Sequence, residues 1–180
     1  MRYLFFLLVT FMSSQFTSAY ENAFSKTDVG AIEIKTIPAA RLLVTHSSNN
    51  YFDANNHLFR PLFRYIQENN IPMTTPVEAE IDPGAMYFYI DDKHSDRKLE
   101  STDEVKIIEL PERTVLSIGV RGRYTIENFN EARKALIEHL HKLDDGWVQA
   151  GPARAIYWNG PFTIGLLKRS EVHIPIKTGQ

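Results

Sequence analysis

The chain has 180 residues, no cysteine and a formal net charge of −2 at pH 7. This length suits one domain with a full-sized hydrophobic core. The lack of cysteine excludes both a disulfide framework and covalent haem attachment through a C-x-x-C-H motif. Basic and acidic residues nearly balance, and no basic patch stands out, so composition argues against nucleic acid as a partner.

The first 19 residues have the three parts of a secretory signal peptide. Arg2 precedes an apolar run over residues 3–12, and a polar stretch follows that ends in small residues at Ala19. The apolar run is too short to span a bilayer, so a buried N-terminal helix is the alternative interpretation. We expect cleavage after Ala19, which leaves residues 20–180 as a single exported domain without a stable membrane span. Its compartment would be the periplasm if the source is a Gram-negative bacterium.

The first half of the domain predicts two strands, a helix and two further strands. Apolar and polar residues alternate over residues 31–36, and a second strand pattern covers residues 41–46. The break at Pro38 between these strands is interpreted as the turn of a hairpin. After the helix, residues 77–81 alternate cleanly and residues 86–90 form an aromatic, strand-prone run.

The second half repeats this order. Its strand patterns lie at residues 105–110, 114–120, 153–158 and 171–176. The first two are expected to pair around Pro111, and Thr125 is placed to cap a helix that runs to about Leu143. This duplication predicts an α+β fold. Two strand-strand-helix-strand-strand units would form one curved antiparallel sheet, or a distorted barrel, covered by two main helices.

The helix of the first unit has an apolar face. The residues that share it are Leu58, Phe59, Leu62, Phe63 and Ile66. Residues 47–56 are polar and predict a loop, from which Asn55 or Asn56 is placed to cap the helix. Arg64 and Glu68 are spaced to pair on an exposed face.

This helix also carries a recognisable pattern. The order F-R-P-L-F-R-Y-I-Q-E-N-N over residues 59–70, followed by M-T-T-P-V over residues 73–77, resembles the signature of the SOUL haem-binding protein family. The segments E-L-P-E-R-T-V-L-S-I-G, G-P-A-R-A-I-Y-W-N-G-P-F and R-S-E-V-H-I-P-I of the second half are also similar to that family. At the level of fold, SOUL proteins resemble gyrase-inhibitor-like effector-binding domains, which are distorted barrels built from this duplication.

The resemblance implies reversible, non-covalent binding of haem or a related porphyrin against the first helix. A tetrapyrrole needs a broad apolar slot, cations for its propionates and, where iron is strongly held, an axial ligand. Arg60 and Arg64 are the candidates for the propionates, and His57 is the candidate iron ligand. The candidates for the slot are Phe59, Leu62, Phe63, Met73, Phe88, Trp158 and Phe162. The alternative is that the apolar residues form core, the arginines are solvated and His57 lies on the surface.

Two other classes of function stay open. Some gyrase-inhibitor-like domains act on small electrophiles through a pocket glutamate, and Glu171 at the start of the last strand is the candidate general base for such a hydrolase. Glu171 is also interpretable as a surface or ion-paired residue, and His173 is expected to face solvent because it alternates with Val172 and Ile174. The third class is a protein-interaction module that uses the same apolar groove. We predict a monomeric binding protein rather than an enzyme.

Overall fold

The computed structural model describes residues 22–143, 146–160 and 162–179, so the expected signal peptide lies outside the described residues. The strands are β1 (Ile32–Ile37), β2 (Ala40–His46), β3 (Val77–Glu80), β4 (Ala85–Tyr89), β5 (Lys106–Leu110), β6 (Arg113–Arg121), β7 (Trp147–Gln149), β8 (Arg154–Tyr157) and β9 (Arg169–Thr178). The helices are α1 (Tyr51–Glu68), α2 (Asp92–Ser95) and α3 (Ile126–Leu140), with a 3₁₀ turn at Gly165–Leu167.

The strands form one curled, antiparallel sheet with a palindromic order. Eight of them follow the path β1-β6-β9-β8-β3-β4-β2-β5, and the short β7 adds to β9. The path reads the same from either end when the strands of one unit are exchanged for those of the other. The centre of the pseudo-symmetry is the β3–β8 pair, in which Val77 lies opposite Tyr157. The predicted duplicated α+β fold is therefore confirmed.

The two predicted hairpins are wrong. β1 pairs with β6 and β2 pairs with β5, so each unit pairs its first two strands with the other unit. A two-residue hairpin loop needs positive φ at its first position, and the proline at Pro38 and at Pro111 fixes φ near −65°. The chain instead turns a corner at each proline. The register continues unchanged across both corners, because Ile37 pairs with Arg113 and Ala40 pairs with Leu110.

The helices α1 and α3 cover one face of the sheet and bury its main core. α1 packs on β2 and β4, and α3 packs on β6 and β9. The centre of this core consists of fully buried aliphatic residues: Leu43, Leu58, Leu62, Leu116, Leu136 and Ile174. Each helix is amphipathic, so its apolar stripe can only be buried against the sheet.

Helix α1 starts earlier than the sequence suggested. Its N-cap is Asn50, whose side chain accepts a hydrogen bond from the Phe52 backbone N–H at 3.0 Å, so the loop ends there and neither Asn55 nor Asn56 is the cap. Thr125 caps α3, as predicted, by accepting from the Asn128 N–H at 3.3 Å. Within the described ranges, no helix is long and apolar enough to cross a membrane.

The other face of the sheet is covered by the segment that precedes β1. We call residues 22–30 the N-terminal strap. It crosses β6 at Gly119, where a Cβ atom would lie 2.2 Å from the Asp28 carbonyl oxygen, so only glycine fits. Phe24 of the strap packs edge-on against Tyr89 and Trp158, with ring centroids 5.7 and 5.4 Å away.

Candidate functional site

The outer side of α1 presents an aromatic patch. The rings of Phe59 and Phe63 stack at 5.5 Å with an interplanar angle of 17°, and Phe59 also packs edge-on against the buried Phe88. Phe63 is 39% exposed although it is a large apolar residue. The patch is therefore anchored in the core at one end and open to a ligand at the other.

Exposed cations lie beside this patch. A helix advances by about 100° per residue, which places Arg60 about 60° and Arg64 about 100° around the axis from Phe63. Both arginines are exposed. The Arg64 guanidinium is 3.4 Å from Glu104 rather than paired with Glu68, so the predicted pair is replaced by a contact across the surface.

His57 lies farther from the patch. Because α1 begins at Tyr51, His57 is on the second turn rather than at the start of the helix, and it is exposed. It lies about 120° around the axis from Phe63. Among the described residues, no cluster of three or more His, Asp or Glu side chains is placed to hold a metal ion. An iron ligand from His57 stays a prediction.

The remaining slot candidates are not brought together with the patch in the described part of the chain. Met73 is half-buried and packs against the main core, whereas Trp158 is buried against the strap and Phe162 is 99% exposed on a loop. Leu62 and Phe88 are core residues, at 0% and 2% exposure. Phe59, Phe63 and Phe88 are the slot candidates whose rings are in contact, and a tetrapyrrole slot formed with the other candidates stays a prediction.

A small cavity lies elsewhere, between the strap and the β1–β2 corner. Its volume is about 140 Å³, and its lining includes Ala23, Ala40, Thr74 and Asp91. Pockets for drug-sized ligands usually measure about 300–1,000 Å³. A tetrapyrrole does not fit in this cavity.

The face of the sheet beneath the strap holds a buried carboxylate network. Glu171 is 1% exposed, and five residues donate hydrogen bonds to its two oxygens, through five side chains and one backbone N–H. The donor groups are Lys35 Nζ at 2.6 Å, Trp158 Nε1 at 2.7 Å, His173 Nε2 at 2.7 Å, the Thr27 N–H at 2.8 Å, Ser117 Oγ at 3.0 Å and Thr27 Oγ1 at 3.1 Å. A carboxylate has about four lone-pair positions, so this one is saturated.

Glu78 on β3 lies on the same face of the sheet as Glu171, because Ile156 on β8 is the register partner of both. Glu78 is fully buried, and it accepts hydrogen bonds from the Tyr89 hydroxyl, from Arg113 at 2.5 Å and from Arg154 at 2.6 Å. Arg154 also pairs with Glu80. Because every buried charge in this cluster has a counter-charge, the network resists opening.

These contacts decide the protonation states. Burial raises the pKa of Glu171, but the hydrogen bond from His173 and the Lys35 ammonium outweigh it and lower the pKa to about 2. Burial of Glu78 is likewise outweighed by Arg113 and Arg154, so its pKa lies below the ordinary value. Burial lowers the pKa of His173 despite the neighbouring Glu171, which leaves the imidazole neutral at pH 7.

Two expectations about this network are corrected by the structure. His173 faces the interior at 2% exposure rather than solvent, and Glu171 is ion-paired but buried rather than on the surface. The strand alternation was interpreted with the wrong face outward because both faces of this sheet are covered. Glu78 and Glu171 each alternate with apolar neighbours, which is also the pattern of a solvent-facing strand residue, so the sequence alone did not mark them as buried.

The fold and the open patch define a class of protein: a duplicated β-β-α-β-β domain whose first helix carries a partly exposed aromatic stack. The chain belongs to the SOUL heme-binding protein family, whose sequence profile matches residues 17–175. A search of curated protein sequences finds no significant match.

Solved structures with the same fold share little sequence with this chain. The EcmrR C-terminal domain is 13% identical with a TM-score of 0.66, over 83% of this chain and 98% of that one. EcmrR in its DNA complex is 12% identical with a TM-score of 0.67, over 83% of this chain, which spans 58% of the EcmrR chain. A hydrolase from Listeria innocua is 12% identical with a TM-score of 0.57, over 84% of this chain and 94% of that one. These similarities concern the fold alone.

Proposed function

We propose that the protein binds haem or a related tetrapyrrole reversibly at the open face of α1. Membership of the SOUL family supports a tetrapyrrole ligand. The observation that carries the location is the Phe59–Phe63 stack, which leaves a large aromatic surface exposed beside Arg60 and Arg64. A flat macrocycle with two carboxylates is complementary to such a surface.

Each group of the patch has a distinct task in this proposal. Phe63 supplies apolar contact to one face of the macrocycle, and the two arginines hold the propionates. Arg64 is free to change partner, since its contact with Glu104 is long and both side chains are more than half exposed. An open face covers only one side of the ligand, so we expect moderate affinity and rapid exchange rather than permanent retention.

A hydrolytic function is less well supported. Glu171 is the general base that such an activity would need, but five residues donate hydrogen bonds to its carboxylate and its pKa is lowered to about 2. A general base works best with a pKa near the operating pH. The Listeria hydrolase shares the fold at 12% identity, which leaves its chemistry outside this proposal. We further propose that the domain is exported, as the N-terminal sequence pattern suggests, and that it is a monomer.

The test is a titration with hemin, repeated with metal-free protoporphyrin, followed by visible absorption. We expect saturable binding of both porphyrins. Phe63→Ser should weaken binding by about tenfold, because it removes most of the exposed apolar contact. Arg60→Ala and Arg64→Ala should each weaken it by about threefold, as expected for partly solvated ion pairs.

The matched control is Arg133→Ala, which removes an exposed arginine from α3. This variant should bind as the wild type does, and the arginine variants should unfold at the wild-type temperature. Phe63→Ser also loses the stack on Phe59, so its binding is measured well below its own unfolding temperature. His57→Ala tests the iron ligand separately: a changed Soret band with hemin, and unchanged affinity for metal-free protoporphyrin, would assign it. Wild-type affinity in Phe63→Ser would remove the α1 patch from the site, and no saturable binding of either porphyrin would reject the function.

A further inference from the structure

A loop between β8 and β9 exposes four large apolar side chains. Phe162, Ile164, Leu166 and Leu167 are 99%, 67%, 76% and 56% exposed. We call residues 162–167 the apolar loop. Isolated exposed apolar residues are common on protein surfaces, but several within six consecutive positions mark a surface that is buried in another environment.

The apolar loop is held in a fixed shape. Its two ends are tied together, because the Arg169 N–H donates to Asn159 Oδ1 at 2.6 Å and the Tyr124 hydroxyl donates to the Arg169 carbonyl at 2.8 Å. Inside the loop, the Leu167 N–H donates to the Ile164 carbonyl at 2.8 Å, which closes the 3₁₀ turn. The apolar side chains are therefore displayed by a structured turn.

Basic residues surround the base of this loop. The side chain of Arg123 lies against Gly165, where an added Cβ would be 2.8 Å from its Cγ. Lys168 follows the loop directly, and Arg121 is paired with Arg169 in the β6–β9 register. We call Arg121, Arg123, Lys168 and Arg169 the basic rim. Among the described residues, no carboxylate lies within salt-bridge distance of any of them.

An exposed apolar loop beside a group of cations is complementary to one kind of partner. The whole chain is slightly acidic, yet the basic rim places four cations beside an apolar projection. Arg121 and Arg123 are exposed, whereas Lys168 lies 4.8 Å from the Tyr124 ring and Arg169 donates to the Thr27 carbonyl at 3.2 Å. A projection cannot act as the concave groove that a partner helix requires. Its chemistry is complementary to an apolar phase with a negatively charged surface. At the surface of a lipid bilayer, apolar side chains enter the acyl boundary and arginine and lysine contact the headgroups.

We propose that the apolar loop inserts into the surface of an anionic lipid bilayer and that the basic rim binds its headgroups. This attachment is peripheral and reversible, because four side chains from one loop bury little area compared with a spanning helix. The apolar loop and α1 are different elements of the fold, so variants in each test the two proposals separately.

Vesicle co-sedimentation tests the proposal. The protein is compared with its variants at the same N-terminus, so any contribution of the apolar N-terminal run is equal in all samples. We expect saturable binding to vesicles of phosphatidylcholine mixed with phosphatidylglycerol, and weaker binding to phosphatidylcholine alone. The double variant F162S/L166S should reduce partitioning by about tenfold or more, because it removes the two most exposed apolar groups.

A matched control replaces exposed apolar residues away from this loop. Ile34 on β1 and Val148 on β7 are 40% and 42% exposed, and the double variant I34S/V148S should bind vesicles as the wild type does. The double variant R121Q/K168Q should lose most of the preference for phosphatidylglycerol, and added salt should have the same effect on the wild type. A second variant, L166S/L167S, removes two exposed apolar side chains of the loop and leaves the slot candidate Phe162 in place. It should also lose most of its vesicle binding while its hemin titration matches the wild type, which separates this proposal from the tetrapyrrole function.

Three results would overturn the proposal. The first is no vesicle binding by a monomeric wild type, which would point to a protein partner instead. The second is vesicle binding that is equal in the wild type and in F162S/L166S. The third is a wild type that self-associates in sedimentation velocity without binding vesicles, while F162S/L166S is monomeric, which would make a second copy the occupant.

Discussion

Glu171 and His173 are neighbours on β9 whose proton equilibria both favour the folded state at neutral pH. The pKa of Glu171 in the folded protein is about 2, below its ordinary value of 4.5. The unfolded chain therefore binds more protons than the folded one as the pH falls from about 4.5 to about 2, and stability is lost across that window. His173 acts in the same direction at higher pH, because its folded pKa is lowered below 6.5.

We predict that Glu171→Gln flattens the acid side of the stability curve. A depression from 4.5 to about 2 corresponds to about 3 kcal/mol of unfolding free energy at neutral pH. The variant should be destabilised by roughly that amount at pH 7, and its curve should converge on the wild-type curve below about pH 2, where most of the wild-type carboxyl is also uncharged. Urea unfolding at a series of pH values measures both.

The companion variant is His173→Gln. It should remove the slope that begins below the ordinary histidine pKa of 6.5, and it should also narrow the acid window, because the hydrogen bond from His173 helps to lower the Glu171 pKa. Parallel curves for the wild type and Glu171→Gln down to pH 2 would show that the Lys35 pair does not lower the Glu171 pKa. The pKa of Glu78 is lowered as well, so Glu78 also makes the wild-type stability fall in this pH range. The contribution of Glu171 is therefore the difference between the wild-type and Glu171→Gln curves.

At the scale of elements, the N-terminal strap behaves as part of the core. Phe24 is in contact with Tyr89, Trp158 and His173 at centroid distances of 5.4–5.8 Å, and Thr27 donates its backbone N–H to Glu171. The strap therefore closes the face of the sheet on which both buried carboxylates lie.

We predict that Phe24→Ala lowers the unfolding free energy by roughly 2 kcal/mol, less than for a fully buried phenylalanine because Phe24 is half-buried. It should also admit water to Trp158, which is 4% exposed. In a Trp147→Phe background, the emission of Trp158 should shift to the red and become accessible to iodide. Phe162→Ala is the control, since that ring is 99% exposed; an unchanged emission in Phe24→Ala would contradict a sealing role for the strap.

The sequence was a good guide to elements and a poor one to their partners. Alternation and spacing identified the main strands and both long helices, because these patterns depend on local burial. They missed the exchange of strands between units, since adjacent strands pair in most folds. Pro38 argues against a hairpin at this position, because proline cannot take the positive φ that a two-residue hairpin loop requires.

For the functional side chains, too, the sequence predicted positions within one element better than contacts between elements. The patch on α1 was predictable because its members lie within one helix, where spacing determines position. The Glu171 network joins the strap, β1, β6, β8 and β9, so its contacts depend on the tertiary fold. His173 was consequently misplaced by reasoning from neighbouring residues.

At the scale of the molecule, neither half has a complete sheet of its own. β1 and β2 of the first unit have β6 and β5 of the second as partners, and the central pair β3–β8 also joins the two units. Fewer of the backbone hydrogen bonds could form in either half alone.

We predict that the chain unfolds in a single transition and that residues 22–103 and 104–179 are each unfolded when produced separately. Far-ultraviolet circular dichroism and tryptophan fluorescence of the whole chain should give coincident unfolding curves. A cooperative transition in either isolated half would contradict this expectation.

The two proline corners have a consequence for how the chain can change in length. Residues on either side of Pro38 pair in unbroken register with residues on either side of Pro111. One residue inserted at either corner would send every side chain beyond it to the opposite face of the sheet. The two connections are therefore coupled in length, and an insertion at one is compatible with the fold only alongside a matching insertion at the other.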